Sequence, residues 1–208
     1  MNEIITPDWP IAQKKYEILA LQELLKNQHL ERIVEIGTWN GATALLWAMI
    51  VSKYPQGKLY CCDLSFYYGQ FYSELTKKMY DKLMYKDTEY EKYVTELTGD
   101  THDRAYISHV KQIVDQPVDF MFIDGDHTYE GVKADFLNFC GLVKPGGHIA
   151  FHDIRDTPVH RAGGCYVAWF WNEIKNNYEH WEFVDSNEYL CYGSPNPSKS
   201  MGIGVIRV

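Results

Sequence analysis

Short apolar runs alternate with longer stretches of helical period along this chain. Ile11, Ile18, Leu21, Leu24 and Leu25 recur at helical spacing within residues 11–28. RIVEIG (32–37) then reads as a short buried strand, and residues 41–53 as a helix that Pro55 and Gly57 bring to an end. KLYCCD (58–63), YVTELTGD (93–100), VDFMFIDG (118–125) and HIAFHD (148–153) follow as further strands. A helix is predicted from Thr128 to Val143, with Lys144-Pro145-Gly146-Gly147 as its stop. CYVAWFWNEIKNNY (165–178) predicts one more helix, and WEFVDS and GIGVIRV end the chain as two strands with no helix between them. Such alternation predicts an α/β fold: a doubly wound, mostly parallel sheet covered on both faces. The last two strands would form an antiparallel hairpin at one edge.

Length and composition narrow this to a single domain of 208 residues, with 46% apolar residues to build a core. A formal charge of −8 argues against nucleic acid as a partner. The opening MNEIITPDWP has neither the basic nor the apolar region of a signal peptide, and no apolar run approaches the ~20 residues of a membrane span. Five cysteines, odd in number and without CxxC spacing, favour neither a zinc knuckle nor a disulfide framework. A cytoplasmic protein that stays off membranes is the expectation. Residues 66–92, dense in tyrosine and charge, are longer than an ordinary connection. They are expected to be a helical insertion: a lid, a substrate wall, a contact for a homo-oligomer, or a solvated helix with an aromatic inner stripe.

Polar residues gather where the predicted strands end, which is where open parallel sheets bind ligands. EIGTWNG (35–41) holds Gly37 and Gly41 at a strand-to-helix turn, which lets the backbone approach a ligand. Trp39 breaks a dinucleotide fingerprint, and Ala42-Thr43 after Gly41 breaks a phosphate loop. Asp63 ends the second strand, where a carboxylate can accept from a ribose diol or cap a helix. Gly99-Asp100-Thr101 stands where an adenine edge would lie, or caps the next helix. Asp124, His152 and Asp153, at the ends of the fourth and fifth strands, offer two oxygens and a nitrogen to a divalent cation if those strands are neighbours. His127 is placed to take a proton near neutrality. Against this stands a plainer reading, in which His127 and His152 are hydrogen-bonded structural residues and Asp126 caps a helix.

EIGTWNGAT, with Asp63 beyond it, resembles the first motif of class I S-adenosylmethionine-dependent methyltransferases. FIDGDHTYEGVKADFLNFCGLVKPGGHIAFHDI (122–154) resembles the small bacterial branch that includes macrocin-type sugar O-methyltransferases, and is similar to the cation-dependent catechol O-methyltransferases. The resemblance implies a seven-stranded, Rossmann-like methyltransferase fold and S-adenosylmethionine as cofactor. It assigns Glu35, Gly37, Thr38, Trp39, Gly41 and Thr43 to the methionine end of the cofactor site, Asp63 to the ribose, and Asp100 and Thr101 to the adenine. Asp124, which also borders the cofactor, His152 and Asp153 match metal-ligand positions, and His127 falls where the catechol enzymes have a lysine base. Those enzymes carry Asp-Asn in place of His152-Asp153, a departure that softens the site and leaves Mg²⁺ in competition with Mn²⁺ or a transition metal. The implied activity is metal-assisted O-methylation of a sugar or small-molecule hydroxyl, with the acceptor wall drawn from 66–92 and from Arg155, His160 and Arg161. Two alternatives remain: a metal oxygenase like the cephalosporin hydroxylases, and a cofactor-binding protein without activity.

Overall fold

A computed structural model describes residues 13–66, 83–185, 188–190, 197–199 and 201–208. Five strands run parallel: β1 (Arg32–Ile36), β2 (Lys58–Asp63), β3 (Val94–Thr98), β4 (Val118–Ile123) and β5 (Val143–His152). With β6 (Glu179–Phe183) and β9 (Ile203–Arg207) they form one seven-stranded sheet in the order β3-β2-β1-β4-β5-β9-β6. The order reverses between β1 and β4, which opens a crevice at their carboxyl ends. The closing strands are antiparallel as expected, but β9 inserts between β5 and β6, so β6 forms the edge. A separate two-stranded ribbon pairs β7 (Glu188–Leu190) with β8 (Pro197–Lys199).

Helices α1 (Lys15–Leu25) and α2 (Ala42–Val51) cover one face of the sheet. The other face carries α3 (Arg104–Ile113), α4 (Tyr129–Phe139) and α6 (Val167–Ile174), while the short α5 (Pro158–Ala162) lies in the connection after β5. Successive strand residues alternate between these faces. Val34 and Ile36 of β1 join the core under α3, α4 and α6, whereas Ile33 packs beneath α1 and α2. Ile123 and Phe151 belong to the first of these cores, and their register across β4 and β5 is direct. The next residue on each strand, Asp124 and His152, must therefore turn towards the α1 side.

Two expectations are corrected. The helix after β4 stops at Phe139, passes through a 3-10 turn (Cys140–Leu142) and gives way to strand at Val143. Lys144-Pro145-Gly146-Gly147 is consequently the start of β5, with the register shift against β4 falling there. A pair of hydrogen bonds from Val208 N to Gly147 O (2.9 Å) and from Gly146 N to Val208 O (2.6 Å) satisfies this glycine-rich stretch, so it behaves as sheet. The expected elements also omitted α3, which is amphipathic, buries Tyr106 and Val110 and is capped by Asp103. In the 66–92 segment, residues 67–82 lie outside the described residues, as does Ile11. From residue 83 onward the segment consists of turns and a 3-10 helix, Glu91–Tyr93, with Leu83 and Tyr85 buried against α2.

Gly37 brings the turn after β1 directly against β4. Its φ is +82°, and a Cβ there would overlap the carbonyl of Asp124 and stand 2.7 Å from Gly125 Cα. Gly37→Ala is expected to lower unfolding free energy in urea by more than about 2 kcal/mol. Gly141→Ala, where a Cβ meets nothing within 4 Å, is expected to stay within about 0.5 kcal/mol of the parent. Equal effects at the two positions would show that the close approach at Gly37 carries no strain.

Candidate active site

The turn between β1 and α2 is held by a carboxylate from the neighbouring strand. Asp63 Oδ2 accepts hydrogen bonds from the Thr38 and Trp39 amides (2.8 and 3.1 Å), and Oδ1 accepts from the Ser65 amide (3.0 Å). These bonds sustain Trp39 at φ +44°, an uncommon backbone state for a bulky residue. Asn40 Oδ1 accepts from the Ala42 amide and Gly41 adopts φ +74°, so α2 starts with its amides facing the crevice. A carboxylate has about four acceptor positions, so Asp63 retains capacity for a further donor. The cleft at this turn is lined by Gln13, Gly37, Thr38, Trp39, Asn40, Ala42, Thr43 and Asp124.

Glu35 does not line that cleft. Alternation along β1 points it beneath α2, where Trp47 Nε1 donates to its Oε1 at 3.1 Å and the Cys61 thiol to its Oε2 at 3.7 Å. Burial pushes its carboxyl up to about 8, against the pull of the nearby Thr43 and Thr38 hydroxyls. Asp100 and Thr101 sit beyond β3. Asp100 Oδ1 accepts from the His102 amide, and the Thr101 carbonyl accepts from Asn138 Nδ2 at 3.0 Å. His102 Nε2 lies 3.3 Å from the fully buried Asp135, a pair that sequence spacing did not suggest.

The β4 and β5 ends meet as expected. His152 Nδ1 is 3.1 Å from Asp124 Oδ1 and 3.6 Å from Asp153 Oδ1, and His127 bridges the same two carboxylates through Nε2 (3.3 Å to Asp124) and Nδ1 (3.4 Å to Asp153). Asp153 adopts φ +62°, which turns its carboxylate back over the cluster. Side-chain exposure separates the roles available: His127 is 46% open, but His152 only 3% and Asp153 4%. Burial alone would lower His152, yet Asp124, Asp153 and Glu17 raise it to about 10. The hydrogen bond to Asp124 likewise raises His127, with Asp153 adding to it.

Residues far off in sequence complete the cluster. Gln13 Nε2 donates to Asp124 Oδ2 at 2.7 Å, while its Oε1 is buried without a hydrogen bond. Glu17, on the buried face of α1, accepts from the Gly202 amide at 3.1 Å and from the Asp185 amide at 3.3 Å, and its charge acts on His152. His160, expected on an acceptor wall, is buried with Nε2 3.6 Å from Asp153 Oδ1. Cys165 groups with His127 and Asp153, their candidate ligand atoms all within 4.8 Å of one another. The signals were present but weak: a glutamate breaking the apolar face of a helix at position 17, and a histidine and cysteine flanking Gly163-Gly164.

Residues 34–154 match a family described as a methyltransferase domain, more than half of the chain. The chain belongs to this methyltransferase family. The matched region runs from β1 to just beyond the β5 end, so it contains the Asp63 turn and the Asp124–His152–Asp153 cluster. The chain is 30% identical over 149 residues to the uncharacterized protein y4gI of Sinorhizobium fredii, covering 69% of itself but 15% of that protein. It is also 46% identical over 39 residues to the uncharacterized protein R132 of Acanthamoeba polyphaga mimivirus, 19% of this chain and 18% of that protein. The chain thus spans less than a fifth of each of these curated relatives. Its fold is shared with the O-methyltransferase TomG of Streptomyces achromogenes, solved with SAM (TM-score 0.59, 16% identity, 97% of this chain and 82% of that one). An O-methyltransferase of Bacillus cereus solved with SAH is comparable (TM-score 0.59, 19% identity, 97% and 84%). Among the described residues no helix is long and apolar enough to cross a membrane.

The buried Glu35 makes stability depend on pH in a defined window. Its folded value lies above the ordinary 4.5, so the neutral carboxyl favours the fold below about 4.5, and that contribution is lost as pH rises to about 8. Glu35→Gln should flatten the pH dependence of urea unfolding between pH 5 and pH 8, by up to about 1.4 kcal/mol per pH unit. An unchanged slope in the variant would show that Glu35 is ionised in the fold.

Proposed function

We propose that this methyltransferase transfers the methyl group of S-adenosylmethionine to a hydroxyl of a sugar or small molecule, with a divalent cation, Mg²⁺ or Mn²⁺, assisting. The observation that carries the reading is the adjacency of two sites at the carboxyl ends of the parallel strands. Asp63 and the turn it braces form one, and Asp124 joins that cleft to the His127–His152–Asp153 cluster. The residues present suit the cofactor: Gln13 Oε1 is a buried acceptor with no hydrogen bond, and it borders the same cleft as Gly37 and Thr43. An acceptor there is matched to an ammonium group. Asp63 would take the ribose diol, and Asp100 and Thr101 would border the adenine. The relatives solved with SAM and SAH agree with this choice of cofactor.

The donor set also suits a cation. Asp124, His152 and Asp153 can each offer a ligand atom within 4.8 Å of the others, and Asp153 Oδ1 is buried without a hydrogen bond. A divalent cation there would polarise the acceptor hydroxyl and neutralise the two carboxylates that hold a proton on His127. His127, the most open member of the cluster, is then the ring positioned to accept the hydroxyl proton as the oxygen attacks the sulfonium methyl. The protein's remaining contribution is alignment of oxygen, methyl carbon and sulfur. Arg155 and Arg161 would face the acceptor, and homo-oligomerisation through 66–92 belongs to the same proposal. A second reading draws on one observation, that His127 and His152 both approach Asp124 Oδ1 (3.3 and 3.1 Å). Two imidazoles and a carboxylate are the residue types of non-haem iron oxygenases, and failure to bind S-adenosylmethionine would favour it.

Titration calorimetry tests the primary reading directly. S-adenosylmethionine is expected to bind the parent protein, and Asp63→Ala to weaken it by at least about tenfold, or about 1.4 kcal/mol. His127→Ala should keep cofactor affinity within a few-fold while methyl transfer to a catechol or sugar acceptor falls by about 10²–10⁴. No cofactor binding, with or without Mg²⁺ or Mn²⁺, would overturn the proposal.

A further inference from the structure

We propose that His127, Asp153 and Cys165 form a second cation position, beside the Asp124–His152–Asp153 set and specific for a thiophilic divalent ion such as Zn²⁺. The position is built by backbone as well as side chains. The Tyr166 amide donates to the His127 carbonyl at 2.8 Å, which registers the chain after α5 against the turn after β4. The Cys165 amide donates to the His160 carbonyl, also at 2.8 Å, and closes the turn at Gly163-Gly164. Cys165 is thereby fixed half-buried, as a free thiol, facing the open imidazole of His127 and the αL carboxylate of Asp153.

Three features point to a ligand rather than to packing alone. Nitrogen, oxygen and sulfur donors lie within 4.8 Å of one another, a compact set of three protein ligands. Asp153 is 3% exposed, yet its Oδ1 makes no hydrogen bond, with His152 Nδ1 and His160 Nε2 both held off at 3.6 Å. The position also remains open on one side, because His127 is 46% exposed. Three ligands with a vacant fourth direction suit tetrahedral zinc, and a thiolate discriminates against Mg²⁺, which demands oxygen in octahedral array.

The two positions share Asp153, so they compete for one carboxylate. Filling the outer one also occupies His127, the proton acceptor of the proposed methyl transfer. That consequence, inhibition by zinc, rests on the functional reading above; the binding itself does not.

Cobalt serves as the probe, because thiolate-to-cobalt charge transfer absorbs in the near ultraviolet. Chelator-treated, dialysed protein is titrated with Co²⁺, and then with competing Zn²⁺ or a large excess of Mg²⁺. The parent should develop the thiolate band at one equivalent, which Zn²⁺ abolishes, whereas a large excess of Mg²⁺, competing only through the shared Asp153, should raise the Co²⁺ needed without abolishing the band. Cys165→Ser should lose the band, and its Zn²⁺ affinity should fall at least about tenfold. His127→Ala, which keeps every thiol, should retain the band but require more Co²⁺ to reach it, so the proposal remains testable if Cys165→Ser fails to fold. A parent without the band, an undiminished band in folded Cys165→Ser, or unaltered Co²⁺ affinity in His127→Ala would each overturn the site. S-adenosylmethionine calorimetry on the same samples reads the methyltransferase proposal separately, so either can fail alone.

Discussion

One carboxylate ties the functional end of the sheet together. Asp124 accepts from Gln13 ahead of α1, approaches His127 at the start of the α4 turn, and pairs with His152 at the end of β5. It also borders the cleft formed by the turn after β1. Gln13 and His152, both distant in sequence, and the nearby His127 therefore converge on its two oxygen atoms. A charge so nearly removed from water is tolerated only with this number of donors and opposite charges around it. Taking away one partner from such a buried group costs about 3–5 kcal/mol, because the remaining charge is left uncompensated.

The cluster is also electrostatically uneven in a useful way. His152 is enclosed by Asp124, Asp153 and Glu17, which together hold its proton to about 10. His127 shares two of those carboxylates but remains open to the crevice, so its charge state can respond to what binds there. Asp153 supplies both histidines from a left-handed backbone position, a conformation that costs about 1–3 kcal/mol and that the surrounding contacts must sustain. Strain, burial and charge coincide at the same strand end, as they do where chemistry is performed.

The opposite end of the sheet has a different task. Asp119 at the start of β4 accepts from the Glu31 and Arg32 amides at 2.8 Å each and pairs with Lys144 of β5. It fastens the beginnings of three neighbouring strands. Anchoring there leaves the carboxyl ends free to carry polar groups, and the two apolar cores above and below the sheet support both. This division between a braced end and a polar end follows from the parallel arrangement, since every strand end of one kind lies on the same side.

Much of this was legible in local pattern. The strands RIVEI, KLYCCD, VDFMFI and the apolar end of β5 are runs that only a covered parallel sheet can bury, and Asp63, Asp124, His152 and Asp153 stand at the points where those runs stop. Their meeting needed β4 and β5 to be neighbours, a condition the alternation of strands with helices left open and the sheet order supplied; the resemblance to class I methyltransferases agreed with the family match. Local pattern misled where two signals competed. The KPGG stretch reads as a helix stop, but Val208 hydrogen bonds made it sheet; α3 was passed over although Tyr106, Ile107, Val110 and Ile113 stand at helical spacing. What tertiary structure alone decided was the company each polar side chain keeps. Gln13 and Glu17 reach the cluster because α1 crosses the face to which Asp124 and His152 turn. Cys165 reaches it because one backbone hydrogen bond pins its neighbour to His127. Periodicity along a chain specifies which face a residue takes within its own element, and only the docking of elements, driven by burial of their apolar faces, determines what that face will meet.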